Sequence, residues 1–311
     1  MLKTILSRRS FSTYPSLFKD IKKVTIIGAG LMGSGIAQVA AQAQHPVTII
    51  DTSDKALENG QKIIAASLKR VARKKYEDEA QQKEFIAETM SFIKTSQDPK
   101  QVTDTDLVVE AIVENLQVKQ KLFEELDKVA PAHTIFCSNT SSLSIQAIAQ
   151  SVSDERQKKF AGLHFFNPVP AMKLVEIVST EKVTEQVIDA LSVFSKNVGK
   201  TSVRCKDTPG FIVNRILFPY LIEAYLMRDR DDASVQDIDT AMKLGAGMPM
   251  GPLELSDFVG LDTIQFIMDG WKKDNDMGPV FDRPFKVIDD LVSQGHLGRK
   301  SGKGFYDYTK K

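Results

Sequence analysis

The 311-residue chain is poor in cysteine, histidine and net charge. With only Cys137 and Cys205 present, a disulfide scaffold is excluded, and two free thiols in a reducing compartment are expected. The four histidines, His45, His133, His164 and His296, lack ligand spacing with cysteine or carboxylates, so no metal set is expected. Lysine and arginine total 41 against 40 acidic residues, a balance that creates no whole-protein field for nucleic acid or an anionic membrane. Any phosphate recognition must therefore be local. From Val24 to Ile50 no side chain carries a full charge, which is long enough to suggest a membrane span. Gly28, Gly30, Gly33, Gly35, Gln38, Gln42, Gln44 and His45 interrupt that stretch, and no transmembrane segment is expected. What remains is an ordinary globular composition, 42% hydrophobic and 26% charged, at a length that suggests about two domains.

The first nineteen residues differ from the rest. They hold Lys3, Arg8, Arg9 and Lys19, no acid, and Ser7, Ser10, Ser12 and Ser16, the composition of a mitochondrial transit peptide over residues 1–19. Removing those four basic residues from 41 leaves 37 against 40 acids, a net charge near −3. Import to the mitochondrial matrix is the expectation.

Beyond the leader, β-branched runs alternate with helical periodicity. Strands are expected at Val24–Gly28, Pro46–Ile50, Met90–Thr95, Leu107–Ile112, Thr134–Cys137, Phe160–Phe165 and Leu174–Val178. Helices are expected at Leu31–Ala43, Asp54–Lys75 and Val118–Ala130. Such alternation predicts an α/β fold, a Rossmann-like, mostly parallel sheet with helices on both faces, over residues 20–206. From 207 to 311 only helices are expected, Pro209–Arg228 (bent or interrupted at Pro219), Ser234–Leu244, Leu253–Trp271 and Pro284–Gln294, forming an all-α C-terminal domain.

Gly28-Ala29-Gly30-Leu31-Met32-Gly33 reads G-x-G-x-x-G between a strand and a helix. The first glycine permits a tight turn, the second lets backbone amides approach a pyrophosphate, and the third lets helix pack on strand. The helix N-terminus adds a favourable dipole for that anion. The next strand ends at Asp51, whose carboxylate can accept bonds from adenosine ribose hydroxyls and would repel a 2′-phosphate; the following residue is Thr52 rather than arginine. NAD is therefore the expected cofactor.

The segment Gly162–Pro170 (GLHFFNPVP) ends a strand, and Glu176 follows His164 by twelve residues on a strand that could return beside it. A carboxylate-oriented histidine is a competent general base, although a lone histidine is more often structural. The wider pattern is more specific. GAGLMGSGIAQ, DLVVEAIVEN, SNTSSL, GLHFFNPVPAMKLVEI, KDTPGFIVNRI and GPLELSDFVGLD resemble, in order and spacing from Lys22 to Tyr308, the L-3-hydroxyacyl-CoA dehydrogenases of fatty-acid β-oxidation. The likeness is to the short stand-alone mitochondrial members rather than the larger multifunctional ones. It implies an NAD domain, a helical C-terminal domain that forms a homodimer, a cleft between the two, and an acyl-CoA substrate.

Residue by residue, the resemblance makes His164 the base, Glu176 its orienting carboxylate, Ser141 a serine near substrate hydroxyl and cofactor, and Asn214 a completing polar group. It places Glu114 and Lys119 beside the nicotinamide end of NAD, and Asn167 and Lys300 at further cofactor positions. Without it, each of these four would be read as a solvated surface group, Ser141 as a helix cap and Asn214 as a helix–helix hydrogen bond. Ser67, Arg70 and Lys74 share one face of the long helix after Asp51, within a basic stretch that also holds Lys69, Arg73 and Lys75. The resemblance assigns Ser67 and Lys74 to the CoA substrate; otherwise the face is simply solvated. Two other readings stand beside this one: a dehydrogenase of a non-CoA hydroxy acid, such as a gulonate 3-dehydrogenase, and an NAD-binding protein without turnover.

Overall fold

The computed structural model describes residues 21–272, 281 and 285–309. The expected leader, 1–19, lies outside the described residues. The chain divides into two compact units, one of residues up to Thr140 plus Ile145–Arg204, the other of Ser141–Ser144 plus Cys205 onward.

The first unit is built on short β-branched strands. β1 (Val24–Ile27), β2 (Val47–Ile50), β3 (Ile93–Ser96), β4 (Leu107–Glu110), β5 (Ile135–Ser138) and β6 (Phe160–Phe165) pair in parallel, and β7 (Leu174–Ser179) returns antiparallel to β6. The order is β3-β2-β1-β4-β5-β6-β7-β8, with β8 at Thr201–Lys206. Strands β1, β4 and β5 are buried along their whole length, which is why they read as apolar runs rather than alternating ones. Helices α1 (Leu31–Gln42), α2 (Asp54–Lys75), α3 (Glu79–Ser91), α4 (Leu116–Asp127), α5 (Ile145–Ala149), α6 (Asp154–Gln157) and α7 (Glu185–Asn197) belong to this unit. Ile26, Ile36, Ile49, Leu68, Val109 and Leu163 form part of its continuous core. Each such buried side chain contributes about 1.5–3 kcal/mol relative to exposure.

The strand order reverses between β1 and β4, where Ile27 pairs with both Ile50 and Glu110. In open α/β sheets ligands bind at the carboxyl ends of strands flanking such a switch point.

The sequence reading names neither β8 nor a separate helix at α3. A break at Tyr76 ends α2, and Asp78 begins α3 by accepting from the amide of Gln81 at 2.9 Å. The second unit holds α8 (Val213–Asp229), α9 (Val235–Gly245), α10 (Pro252–Val259), α11 (Leu261–Lys272) and α12 (Lys286–Ser293) around Leu221, Tyr225, Leu253, Ile264 and Ile288. Two expectations need correction here. α8 starts at Val213 rather than Pro209 because Gly210 and Phe211 are left-handed, at φ 78° and 51°; Pro219 sits inside the helix without ending it. The single helix expected over Leu253–Trp271 is two, because Gly260 at φ 103° leaves the helical path.

Candidate functional site

At the end of β1 the three glycines do different work. Gly28 has φ 109°, and a Cβ there would lie 2.6 Å from the Ala111 carbonyl oxygen. A Cβ at Gly33 would lie 1.9 Å from the Gly28 carbonyl oxygen, so helix and turn touch backbone to backbone. A Cβ at Gly30 would meet nothing within 4 Å. That open space lies over the start of α1, which has no side-chain cap and no acid in its first turn. α2 and α4, by contrast, are capped by Ser53 and Asn115, which accept from the amides of Ala56 and Val118. An uncapped helix start under open space fits an anion carried by a cofactor. Asp51 stands beside it: Oδ2 accepts from the Ala29 amide at 2.9 Å and Oδ1 from the Ser53 amide at 3.1 Å. A carboxylate has about four acceptor sites, which leaves capacity for ribose hydroxyls. Ala29 is buried, Leu31 is exposed and Met32 is half-buried at this turn.

The antiparallel register of β6 and β7 sets His164 directly opposite Glu176. His164 Nδ1 lies 2.8 Å from Glu176 Oε2, with the carboxylate fully buried and the imidazole nearly so. Phe166 packs on the imidazole, ring centroids 4.4 Å apart. The loop joining the two strands carries Asn167, exposed, and is fastened from beneath by Lys200, whose Nζ donates to the carbonyls of Val169 at 2.5 Å and Met172 at 2.8 Å. Burial, and then the neighbouring Lys173 charge, push the Lys200 ammonium down to about 8.

A second polar cluster lies at the ends of β4 and β5. Glu110, fully buried, accepts through Oε1 from Lys119 Nζ at 2.5 Å and the Ile112 amide at 2.7 Å, and through Oε2 from Ser138 Oγ at 2.6 Å. Lys119 also pairs with Glu114 at 3.2 Å, and Thr140 donates its hydroxyl to Glu114. Ser138 Oγ in turn accepts from the Thr140 amide at 3.2 Å, closing a ring. Next to it, Asn139 Oδ1 accepts from the Phe165 amide at 2.8 Å, one residue past His164. The alternative of a solvated Lys119 is therefore excluded, since its side chain is 1% exposed. Sequence reasoning passed over Glu110, Ser138 and Asn139. The available signal was an acid closing the apolar run Leu107–Val109, where only a paired carboxylate is tolerated.

On α2, Ser67 is buried while Lys69, Arg70, Arg73, Lys74 and Lys75 are exposed. The remaining candidates belong to the second unit. Ser141 is half-buried in the short segment Ser141–Ser144, where Ser144 donates to Asp207 at 2.8 Å. Asn214 is half-buried in the first turn of α8, and exposed Lys300 is ion-paired with Asp262 at 2.5 Å. Among the described residues, no group of three or more His, Cys, Asp or Glu is placed to hold a metal, and no helix is long and apolar enough to cross a membrane.

Comparison with known proteins bears on both halves of the chain. Residues 23–208 match the NAD binding domain of 3-hydroxyacyl-CoA dehydrogenase, and residues 210–308 match that family's C-terminal domain. The chain is 55% identical over 308 residues to the mitochondrial hydroxyacyl-coenzyme A dehydrogenase of Sus scrofa, covering 98% of this chain and 97% of that one. It is 54% identical over 290 residues to the Homo sapiens mitochondrial protein, covering 93% and 91%. Among solved structures, the (S)-3-hydroxybutyryl-CoA dehydrogenase of Ralstonia eutropha superposes with a TM-score of 0.86 at 39% identity, covering 93% of this chain and all of that one. A glycine turn with its acidic partner, a buried histidine–glutamate pair, and matches across both domains together place the chain in the 3-hydroxyacyl-CoA dehydrogenase family of NAD-dependent oxidoreductases.

Proposed function

We propose that the chain oxidises the 3-hydroxyl of an L-3-hydroxyacyl-CoA to the 3-ketoacyl-CoA, with His164 as general base and Glu176 as the carboxylate that positions it. The observation that carries this assignment is the buried 2.8 Å contact between His164 Nδ1 and Glu176 Oε2. An ionised carboxylate only accepts, so Nδ1 carries the hydrogen and Nε2 keeps the lone pair that takes the substrate proton. As the proton arrives, Glu176 stabilises the imidazolium inside a site of low dielectric. Bound NAD supplies the acceptor for the hydride leaving C3.

The other roles follow the family likeness and the local chemistry. Asp51 takes the adenosine ribose hydroxyls, and the amides of Gly28–Gly33 take the pyrophosphate. Glu114, Lys119, Asn167 and Lys300 serve the cofactor, Ser141 serves substrate and cofactor, and Asn214 completes the polar set. Ser67 and Lys74, with the exposed basic face of α2, serve the phosphates of CoA. A C-terminal homodimer is supported by apolar side chains left exposed in the second unit, among them Ile216, Leu244, Phe258 and Phe266. Import to the matrix is supported by the acid-free leader and by relatives named as mitochondrial.

NADH consumption with acetoacetyl-CoA, set against free acetoacetate, is the deciding assay. Turnover of the thioester alone is expected. Equal turnover of both points to a non-CoA hydroxy-acid enzyme, and binding of NADH without turnover of either points to a protein that only holds the nucleotide.

A further inference from the structure

Lys200 lies in the turn between α7 and β8, is 7% exposed, and among the described residues pairs with no carboxylate. The neighbouring charge is that of Lys173, of like sign. A buried ammonium in such surroundings is unfavourable, and an apolar side chain of similar length would fill the space without that penalty. What the lysine holds explains its presence. Nζ donates to the carbonyls of Val169 and Met172, and the amide of the next residue, Thr201, donates to the Lys173 carbonyl at 2.7 Å. All three acceptors belong to the loop that joins β6 to β7, the strand of His164 to the strand of Glu176.

The other side of that loop rests on α1. Gly35 is an interior residue of α1, where glycine is about 1 kcal/mol less favourable than alanine. A Cβ there would lie 2.8 Å from Val169 Cβ and 3.0 Å from Val169 Cγ2, so the glycine allows the close approach of the loop. Val169 is thus gripped between Lys200, which holds its carbonyl, and Gly35, which admits its side chain. The contact ties the helix whose start is assigned to the pyrophosphate to the loop that follows His164 and carries Asn167.

We propose that Lys200 is a positioning residue that holds the β6–β7 loop against α1 and thereby aligns His164 and Asn167 with the bound nicotinamide. The proposal rests on the NAD and His164 assignments given above and adds a residue that acts through the loop rather than on the reacting atoms.

The test is steady-state reduction of acetoacetyl-CoA by NADH on the full chain, with circular dichroism melts showing that each variant is folded at the assay temperature. Lys200→Met removes both donors and is expected to lower kcat about 10- to 100-fold, the scale of a misplacement of about 1 Å. The acyl-CoA KM and the NADH dissociation constant should stay within about threefold of the parent, because the turn, Asp51 and the basic face of α2 are untouched. Lys200→Arg keeps donors enough for two carbonyls, and a cavity of about 270 Å³ beside the lysine, lined in part by Gln42, Pro170 and Lys173, has room for the guanidinium. It is expected to recover kcat to within about threefold of the parent. Gly35→Ala presses on the loop from the opposite side and is expected to lower kcat about tenfold. Combined with Lys200→Met it should fall short of the product of the two single effects by at least about threefold, since both act on one contact. A lysine that only supported the fold would lower the melting point and leave the kcat of the folded chain alone. A folded Lys200→Met with kcat within about threefold of the parent, or a Lys200→Arg as slow as Lys200→Met, overturns the proposal. Should Lys200→Met not fold, Gly35→Ala decides, and an unchanged kcat there overturns it. A parent that fails to turn over the thioester overturns the catalytic reading and the proposal together, whereas turnover insensitive to Lys200 overturns the proposal alone.

Discussion

Alanine at Gly33 and alanine at Gly30 are the same chemical change three residues apart, and the structure gives them opposite outcomes. At Gly33 the new Cβ would sit 1.9 Å from the Gly28 carbonyl oxygen, well inside any permitted contact, so the turn and α1 must separate by more than 1 Å. Overpacking against backbone costs about 3 kcal/mol, and in a unit of this size each kcal/mol moves the melting point about 2–4 °C. Gly33→Ala should therefore lower Tm by about 6–12 °C, with nucleotide binding lost as the turn distorts. At Gly30 the Cβ meets nothing within 4 Å, and φ is −69°, which alanine adopts freely. The loss of a favourable N-cap residue costs under about 1 kcal/mol, so Tm should fall by no more than about 4 °C. The methyl would instead occupy the space assigned to the pyrophosphate, and the NAD dissociation constant should rise at least about tenfold, or 1.4 kcal/mol. Circular dichroism melts of the nucleotide-free chain and calorimetric titration with NAD read the two effects separately. A Gly33→Ala chain that melts with the parent would refute the packing argument, and a Gly30→Ala chain that binds NAD normally would refute the pyrophosphate placement.

Glu176→Gln replaces a charge-assisted bond with a neutral one, and such bonds contribute about 1.5–3 kcal/mol, so kcat should fall about 10- to 100-fold with little change in the acyl-CoA KM. A kcat within threefold of the parent would remove the positioning role. Lys200 loses its proton more readily in the folded chain, at about 8 against an ordinary 10.5, so between those values the unfolded chain binds more protons and Lys200's contribution to stability rises with pH. The Tm difference between the parent and Lys200→Met should widen from pH 7.5 to 9.5; a constant or shrinking difference contradicts that sign. Acyl-CoA binding should weaken with added salt more steeply than NAD binding, because the exposed basic face of α2 is screened by salt whereas the glycine turn acts through buried dipoles. Equal slopes in the two titrations would return that face to solvent.

Much of the first unit was legible because its strands are short β-branched runs buried on both faces, and the glycine spacing fixes strand, turn and helix together. Phe160–Phe165 matches its expected bounds as a wholly buried run, and Asp54–Lys75 as a long helix of regular apolar period. β8 was not legible: Thr201–Lys206 mixes exposed and half-buried residues without regular alternation and holds no buried residue. Nor was the break at Gly260, since a glycine within an apolar periodic stretch is compatible with a continuous helix until its φ is known. Gly210 and Phe211 show the same limit, because a Thr-Pro start promises a helix that two left-handed residues then delay to Val213.

From its sequence alone the chain declares a dinucleotide turn, an acid poised at the second strand end, and a histidine and a glutamate of the right kind. These are local statements, carried by residue type and spacing along one strand or one turn. Only the folded sheet decided that His164 faces Glu176 at 2.8 Å, that Lys119 is sealed inside rather than solvated, and that Glu110 joins Ser138 across two strands. The physical reason is register: a one-residue slip would turn His164, Glu176 or Glu110 to the opposite face of the sheet, and register is settled by the core as a whole.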